Sequence, residues 1–138
     1  MVLDLSSLQK AVDSLERAIK VAAGQAGSGK DQEEVLRAGV IQNFEFTYEL
    51  CWKFMQRWLK ENQSKGDVEL PRTRKELFRM AAQYGIISDP LPWFEYGDAR
   101  NLTAHTYDLD KAEIVFKQAL RFSGDAKYLL IQLEKHND

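Results

Sequence analysis

Cysteine is almost missing from this 138-residue chain. Cys51 stands alone, so no internal disulfide can form and a reducing compartment suits the protein. Histidine is equally sparse: His105 and His136 lie far from each other and from Cys51, without the paired spacing of a metal centre. No metal and no cofactor are called for. All three prolines (Pro71, Pro90, Pro92) sit in the second half, leaving long stretches on either side in which a helix meets no breaker. No apolar run approaches the ~20 residues of a spanning helix, and the mean hydropathy is −0.45. The opening segment, MVLDLSSLQKAV, carries Asp4 where a signal peptide needs positive charge. These absences lead to the expectation of a cytoplasmic protein with no membrane contact. Neither sign of charge dominates: the net charge is −2, which argues against a nucleic-acid footprint spread over the whole chain. The distribution is uneven, however, because residues 53–79 hold eight basic side chains against four acidic ones. Such a stretch can face phosphates or can be a solvated helix face.

What is present is helical periodicity. The length is that of one domain, spanning 1–138, large enough to bury a core without staples. Leu5, Leu8, Val12, Leu15 and Ile19 recur at three and four residues, with Ser6 or Ser7 as the expected cap and the run from Gly24 to Gly29 as the stop. A longer periodic segment runs from about Asp31 to Asn62. Its apolar stripe (Leu36, Val40, Phe44, Tyr48, Cys51, Met55, Trp58) is widened by Ile41, Phe46, Leu50, Phe54 and Leu59 to more than half the circumference. A helix that apolar needs cover on several sides, by a bundle, a second subunit or both. Gly39 within it suggests a close helix–helix approach. Thr73 to Glu76 forms a capping box for a third helix ending at Gly85. A fourth helix starts near Pro92 and runs towards His105, and Asp110 to Glu113 repeats the capping logic for a fifth, with a possible bend at Gly124. The fold class is all-α, a single-domain bundle of about five helices.

Several motifs can be weighed for chemistry. Gly24 to Lys30 has the spacing of a phosphate-binding loop, but Asp31 stands where that loop needs a hydroxyl, and a helix precedes it instead of a strand. An inter-helix linker accounts for it better. Cys51, between Leu50 and Trp52, reads as core. Glu45 and Glu49 are one turn apart, with Lys53 a further turn on, and read as a polar strip relieved by a Glu49–Lys53 pair. The densest stretch is Asp98 to Asp108, which gathers Arg100, Asn101, His105 and Tyr107. On a continuous helix Asn101 and His105 share a face, so the amide can orient the imidazole. Arg100 falls about 140° away from His105, at ~100° per residue. Two copies across a symmetry axis would bring them together more readily than one.

The pattern Arg100-Asn101-x₃-His105-x-Tyr107, preceded by IQNFEFTYELCWKF from Ile41 to Phe54, resembles the HEPN superfamily. Within it the chain is similar to the nucleotidyltransferase substrate-binding proteins related to the HepT toxins, over essentially its whole length. The resemblance implies a small helical bundle that forms a homodimer and works beside a minimal nucleotidyltransferase. It implies that Arg100 and His105 match a family pattern of Arg followed at variable spacing by His, with Asn101 as its usual polar companion. In HEPN ribonucleases these residues line a cleft between protomers and cleave RNA without a metal. It also implies that Tyr107 matches the tyrosine that the partner nucleotidyltransferase modifies with AMP. The alternative is a non-catalytic substrate-binding or adaptor subunit of that nucleotidyltransferase, in which Arg100 and His105 only bind.

Overall fold

The computed structural model describes residues 2–62 and 71–137. Among them are five α-helices: α1 (Ser6–Gly24), α2 (Lys30–Asn62), α3 (Arg74–Gln83), α4 (Pro90–Leu102) and α5 (Leu109–Lys135). A short 3₁₀ turn, Thr103–His105, separates the last two. The all-α architecture matches the periodicity of the sequence. At 33 residues α2 is about 50 Å long and forms the spine. It packs against α1 and α5 along one side and against α3 and α4 near its C-terminal half, while α4 also lies on α5.

The centre of the molecule is aromatic. Phe122 of α5 meets Phe44, Trp93 and Tyr96 edge-on, with ring centroids 5.1–5.6 Å apart. Such T-shaped pairs add about 0.5–1.5 kcal/mol each beyond the area they bury. Cys51 is fully buried in this core, and desolvation holds its thiol far above the ordinary range. Thr47 is buried and donates its hydroxyl hydrogen to the Ala11 carbonyl at 3.3 Å, joining α2 to α1.

The helix ends differ in detail from the sequence expectations. Ser6 is the first helical residue of α1, and neither Ser6 nor Ser7 caps it. Instead the Asp4 carboxylate accepts from the Ser6 backbone N–H and hydroxyl, at 3.0 and 2.7 Å. Thr73 caps α3 as expected, accepting from the Glu76 N–H at 3.1 Å, but Glu76 reaches back to the Arg72 N–H. At the other end Gly85 takes the left-handed conformation (φ 83°), letting Ile86 N–H bond the Ala81 carbonyl at 3.1 Å. The fourth helix starts at Pro90, two residues earlier than expected, because Asp89 caps it through the Leu91 N–H. The cap of α5 is Asp108, not Asp110; its carboxylate accepts from the Asp110 and Lys111 N–H groups. That helix runs unbroken past Gly124.

Other corrections concern side chains. Gly39 marks no close approach, since a Cβ there would meet no atom within 4 Å. Its carbonyl instead accepts from the Asn43 side chain, which also takes a hydrogen bond from Ser14 of α1. Phe46 is 41% exposed, so it does not belong to the buried stripe. His136 is exposed at the end of α5, yet its ring packs edge-on against Trp58. The linker reading of Gly24 to Lys30 agrees with the structure. The Gly27 N–H, which a phosphate would need, is taken by the Glu33 carboxylate at 2.6 Å.

Candidate functional site

Arg100 lies two residues before the end of α4, where its side chain crosses to α2. There Nε donates to Glu49 Oε1 at 3.1 Å and Nη2 lies 3.3 Å from Glu45 Oε1. Nη1 donates to the Thr103 hydroxyl at 3.0 Å, and that hydroxyl donates to the Arg100 carbonyl at 2.8 Å. Glu45 and Glu49 face Arg100 together because residues four apart share a helix face. Their role is therefore to hold a guanidinium, and Lys53 does not relieve them. Lys53 sits instead over the Trp52 ring, whose Nε1 donates to Glu49 Oε2 at 3.0 Å. Three of the five guanidinium N–H donors are engaged, leaving one on each Nη for a ligand oxygen. Two carboxylates surround one guanidinium, so the immediate charge is negative.

His105 is not on α4. The helix ends at Leu102 and the chain tightens into the 3₁₀ turn that carries His105 at its last position. Because α4 ends before His105, Asn101 and His105 do not share a continuous α-helical face. The expectation that Asn101 orients the imidazole through a shared α-helical face is thereby corrected. Both side chains are exposed. The turn itself is well secured: Thr106 Oγ1 donates to the Thr103 carbonyl and the Asp108 N–H to the His105 carbonyl. Tyr107 is 82% exposed, and its ring stands edge-on to His105 with centroids 6.2 Å apart. It borders a shallow groove with Arg37, Thr106 and Leu109. One chain thus places Arg100, His105 and Tyr107 in one region, with Arg100 fixed from α2 and His105 presented to solvent.

Asn101 faces a different opening, a cleft between α3 and α4 lined by Tyr48, Arg74, Lys75, Phe94 and Asp98. Burial raises the Tyr48 phenol above its ordinary range, so it stays protonated while Arg74 donates to its oxygen at 3.5 Å. Gly97 lies where α4 crosses this side chain, and a Cβ there would sit 3.0 Å from the Tyr48 hydroxyl oxygen, closer than ordinary contact. Sequence reasoning did not find the Glu45–Glu49–Arg100 cluster, although the helical spacing of Glu45, Glu49 and Trp52 was visible. Pairing with position 100 is a product of the fold. Among the described residues there is no group of three or more His, Cys, Asp or Glu placed to hold a metal, and no helix is long and apolar enough to cross a membrane.

Comparison with known proteins follows the same line. Residues 3–135 match the family described as nucleotidyltransferase substrate binding protein like. A Haemophilus influenzae protein named probable ribonuclease HepT is 40% identical over 105 residues, covering 76% of this chain and 72% of that protein. A solved Haemophilus influenzae structure, described as revealing the fold of a substrate-binding domain of a nucleotidyltransferase, superposes with a TM-score of 0.87 at 35% identity. The match covers 95% of this chain and 99% of that one. A chain from a toxin–antitoxin MntA–HepT mutant structure shares the fold, with a TM-score of 0.66 at 21% identity over 93% of this chain and 97% of the other. The match over residues 3–135, the 40% identical relative and the shared five-helix bundle thus place the chain in the nucleotidyltransferase substrate-binding-protein-like family, the HepT-like branch of the HEPN superfamily.

Proposed function

We propose that this protein is a metal-independent ribonuclease of the HEPN type, the toxin-like component of a two-protein module with a minimal nucleotidyltransferase. The observation that carries the reading is a fixed guanidinium and an accessible imidazole carried on one short segment. Arg100 is held by Glu45, Glu49 and Thr103 with two donors to spare, and His105 stands exposed five residues later. A ribose 2′-OH attacks the adjacent phosphorus when a base removes its proton, and imidazole is the side chain suited to that near neutrality. Negative charge gathers on the phosphorane oxygens, where the free Nη donors of Arg100 bind it. The P–O5′ bond breaks as the leaving oxygen takes a proton from a second imidazole, giving a 2′,3′-cyclic phosphate and a 5′-OH.

A homodimer supplies that second imidazole. Leu109, Ile114 and Leu120 are 42–57% exposed on α5, the helix that begins beside His105 and Tyr107, and such apolar surface favours a second copy. Tyr107 is the modification point: its exposed ring beside His105 leaves the phenol open to an AMP transfer from the partner enzyme, and the added phosphodiester would obstruct the imidazole. The protein is expected to act in the cytoplasm.

Purified protein incubated with RNA in EDTA, beside His105→Ala and Arg100→Ala, tests the reading. Cyclic-phosphate products from the wild type alone are expected, with an unchanged melting temperature in His105→Ala and, in Arg100→Ala, the modest lowering that losing two partly exposed ion pairs brings. Cleavage surviving in His105→Ala would refute the mechanism. The second reading, a binding subunit of the nucleotidyltransferase, draws on the two carboxylates that neutralise Arg100. It predicts no cleavage by any variant and a complex with the nucleotidyltransferase that Arg100→Ala weakens.

A further inference from the structure

The cleft that receives Asn101 is lined by Arg74 and Lys75, and these two and the nearby Arg79 and Lys53 are cations held on aromatic rings. Arg74 lies over Trp52, 4.4 Å from the ring centroid, and over Tyr48 at 5.6 Å. Lys75 and Arg79, one turn apart on α3, both lie over Phe94, at 5.6 and 5.3 Å. Lys53 lies over the other ring, Trp52, at 5.7 Å. Among the described residues none of these four forms an ion pair with a carboxylate. The rings fix them by cation–π contact, which positions a cation without neutralising it. A guanidinium stacked on a ring keeps its in-plane N–H donors for an anion's oxygens. Arg100 is the opposite case, fixed by two carboxylates and locally outweighed by them.

The two arrangements are joined. Trp52, the ring beneath Arg74, donates to Glu49, and Glu49 accepts from Arg100. Asn101, next to Arg100, reaches the cleft that Arg74 and Lys75 border. Asp98 is the carboxylate lining that cleft, against the two cations from α3. A polyanion whose reacting phosphate sits at Arg100 therefore finds its neighbouring phosphates facing α3.

We propose that the α3–α4 cleft, lined from α3 by Arg74 and Lys75 and flanked by Arg79 over Phe94 and by Lys53 over Trp52, is the backbone-binding groove for single-stranded RNA leading to Arg100. This rests on the ribonuclease reading for the choice of RNA, and it assigns to α3 the affinity that the carboxylate-flanked Arg100 lacks. The groove contacts phosphates through side chains spaced along one helix face, so binding depends on strand charge more than on base identity.

The test uses a fluorescently labelled, fully 2′-O-methylated 12-nucleotide RNA, which binds but offers no attacking hydroxyl, titrated by anisotropy over a salt series in EDTA. Lys75→Ala/Arg79→Ala is expected to weaken binding at least tenfold and to flatten the log K against log salt slope by about 1.4, the share of two phosphate contacts on a single strand. Lys10→Ala/Lys20→Ala on α1, an equal charge change on a helix remote from α3, is expected to leave both unchanged. Equal losses in the two double variants, or no loss in the first, would overturn the groove. An unchanged RNA affinity with lost binding of the nucleotidyltransferase would also overturn it, making α3 a protein-docking face. Wild-type binding through α3 without cleavage of unmodified RNA would retain the groove and refute the ribonuclease reading, so the two fail separately.

Discussion

Replacing Glu45 and Glu49 by glutamine removes both negative charges beside Arg100 while keeping oxygen acceptors of the same reach. A phosphate bound at the free edge of the guanidinium lies roughly 7 Å from each carboxylate. With the three side chains 29–42% exposed, an effective dielectric of about 40 is appropriate, and each carboxylate then repels a phosphate charge by about 1 kcal/mol. Relieving both is worth about 2 kcal/mol, or roughly 30-fold in affinity. A 2′-O-methylated trinucleotide should therefore bind Glu45→Gln/Glu49→Gln about 30-fold more tightly in low-salt anisotropy titrations. Turnover should move the other way. The charge-assisted bonds that aim Arg100 become neutral ones of about half the strength, so cleavage at saturating RNA falls about tenfold as the guanidinium loses its fixed angle. The loss of two partly exposed ion pairs costs about 1–2 kcal/mol of stability, which thermal unfolding measures independently. Unchanged or weaker trinucleotide binding would refute the reasoning, because it would mean that no phosphate sits at Arg100.

Gly39→Ala should stabilise the protein by about 0.5–1 kcal/mol in urea unfolding, since its Cβ meets nothing and the helix gains propensity. Gly97→Ala gains the same propensity but brings its Cβ to 3.0 Å from the Tyr48 hydroxyl, whose ring Phe44, Phe78 and Phe122 hold in place, so its urea midpoint should fall below that of the wild type. The buried Cys51 thiol has its folded-state titration pushed far up, so above about pH 8.5 the unfolded chain loses a proton that the folded one keeps. Stability present below that pH should decline as pH rises, approaching about 1.4 kcal/mol per unit, until the phenols join in near pH 10. Cys51→Ala should lack this decline between pH 8.5 and 10; equal slopes in both proteins would count against it. Co-expression with a cognate nucleotidyltransferase should add AMP to Tyr107, and intact mass with peptide mapping of Tyr107→Phe checks the position.

Helices were legible wherever periodicity and local capping coincide. The Thr73 cap and the Gly85 stop of α3 depend on neighbours within a few residues, and both can be read from the chain. The start of α5 differs because Asp108 competes with an equally plausible cap at Asp110, and the start of α4 because Pro92 reads as a first-turn proline when Pro90, directly after the Asp89 cap, already holds that place. The site was half legible. Arg100, His105 and Tyr107 stand out by residue type, and the resemblance carried by that segment agrees with the family match. The partners of Arg100 could not be read, because Glu45 and Glu49 lie over 50 positions away and also satisfy a local rule as a polar strip. The same holds for Arg74, Lys75 and Arg79. In sequence they are part of a charge run, and only the packing of α3 on α2 and α4 puts aromatic rings beneath them.

The 3₁₀ turn at Thr103–His105 bears on how such a motif can vary between relatives. Were arginine and histidine on one continuous α-helix, each inserted residue would swing the histidine by about 100° and carry it off the site. Here the arginine is anchored to α2 before the helix ends, and the histidine rides on a connection whose far side is secured by the Asp108 cap. Lengthening or shortening that connection beyond Thr103 shifts the imidazole along the surface while the guanidinium keeps its Glu45, Glu49 and Thr103 contacts. The spacing between the two residues is therefore a property of a turn, free to drift as turns do, whereas the Arg100–Glu49 register is bound to the packing of two helices and is not.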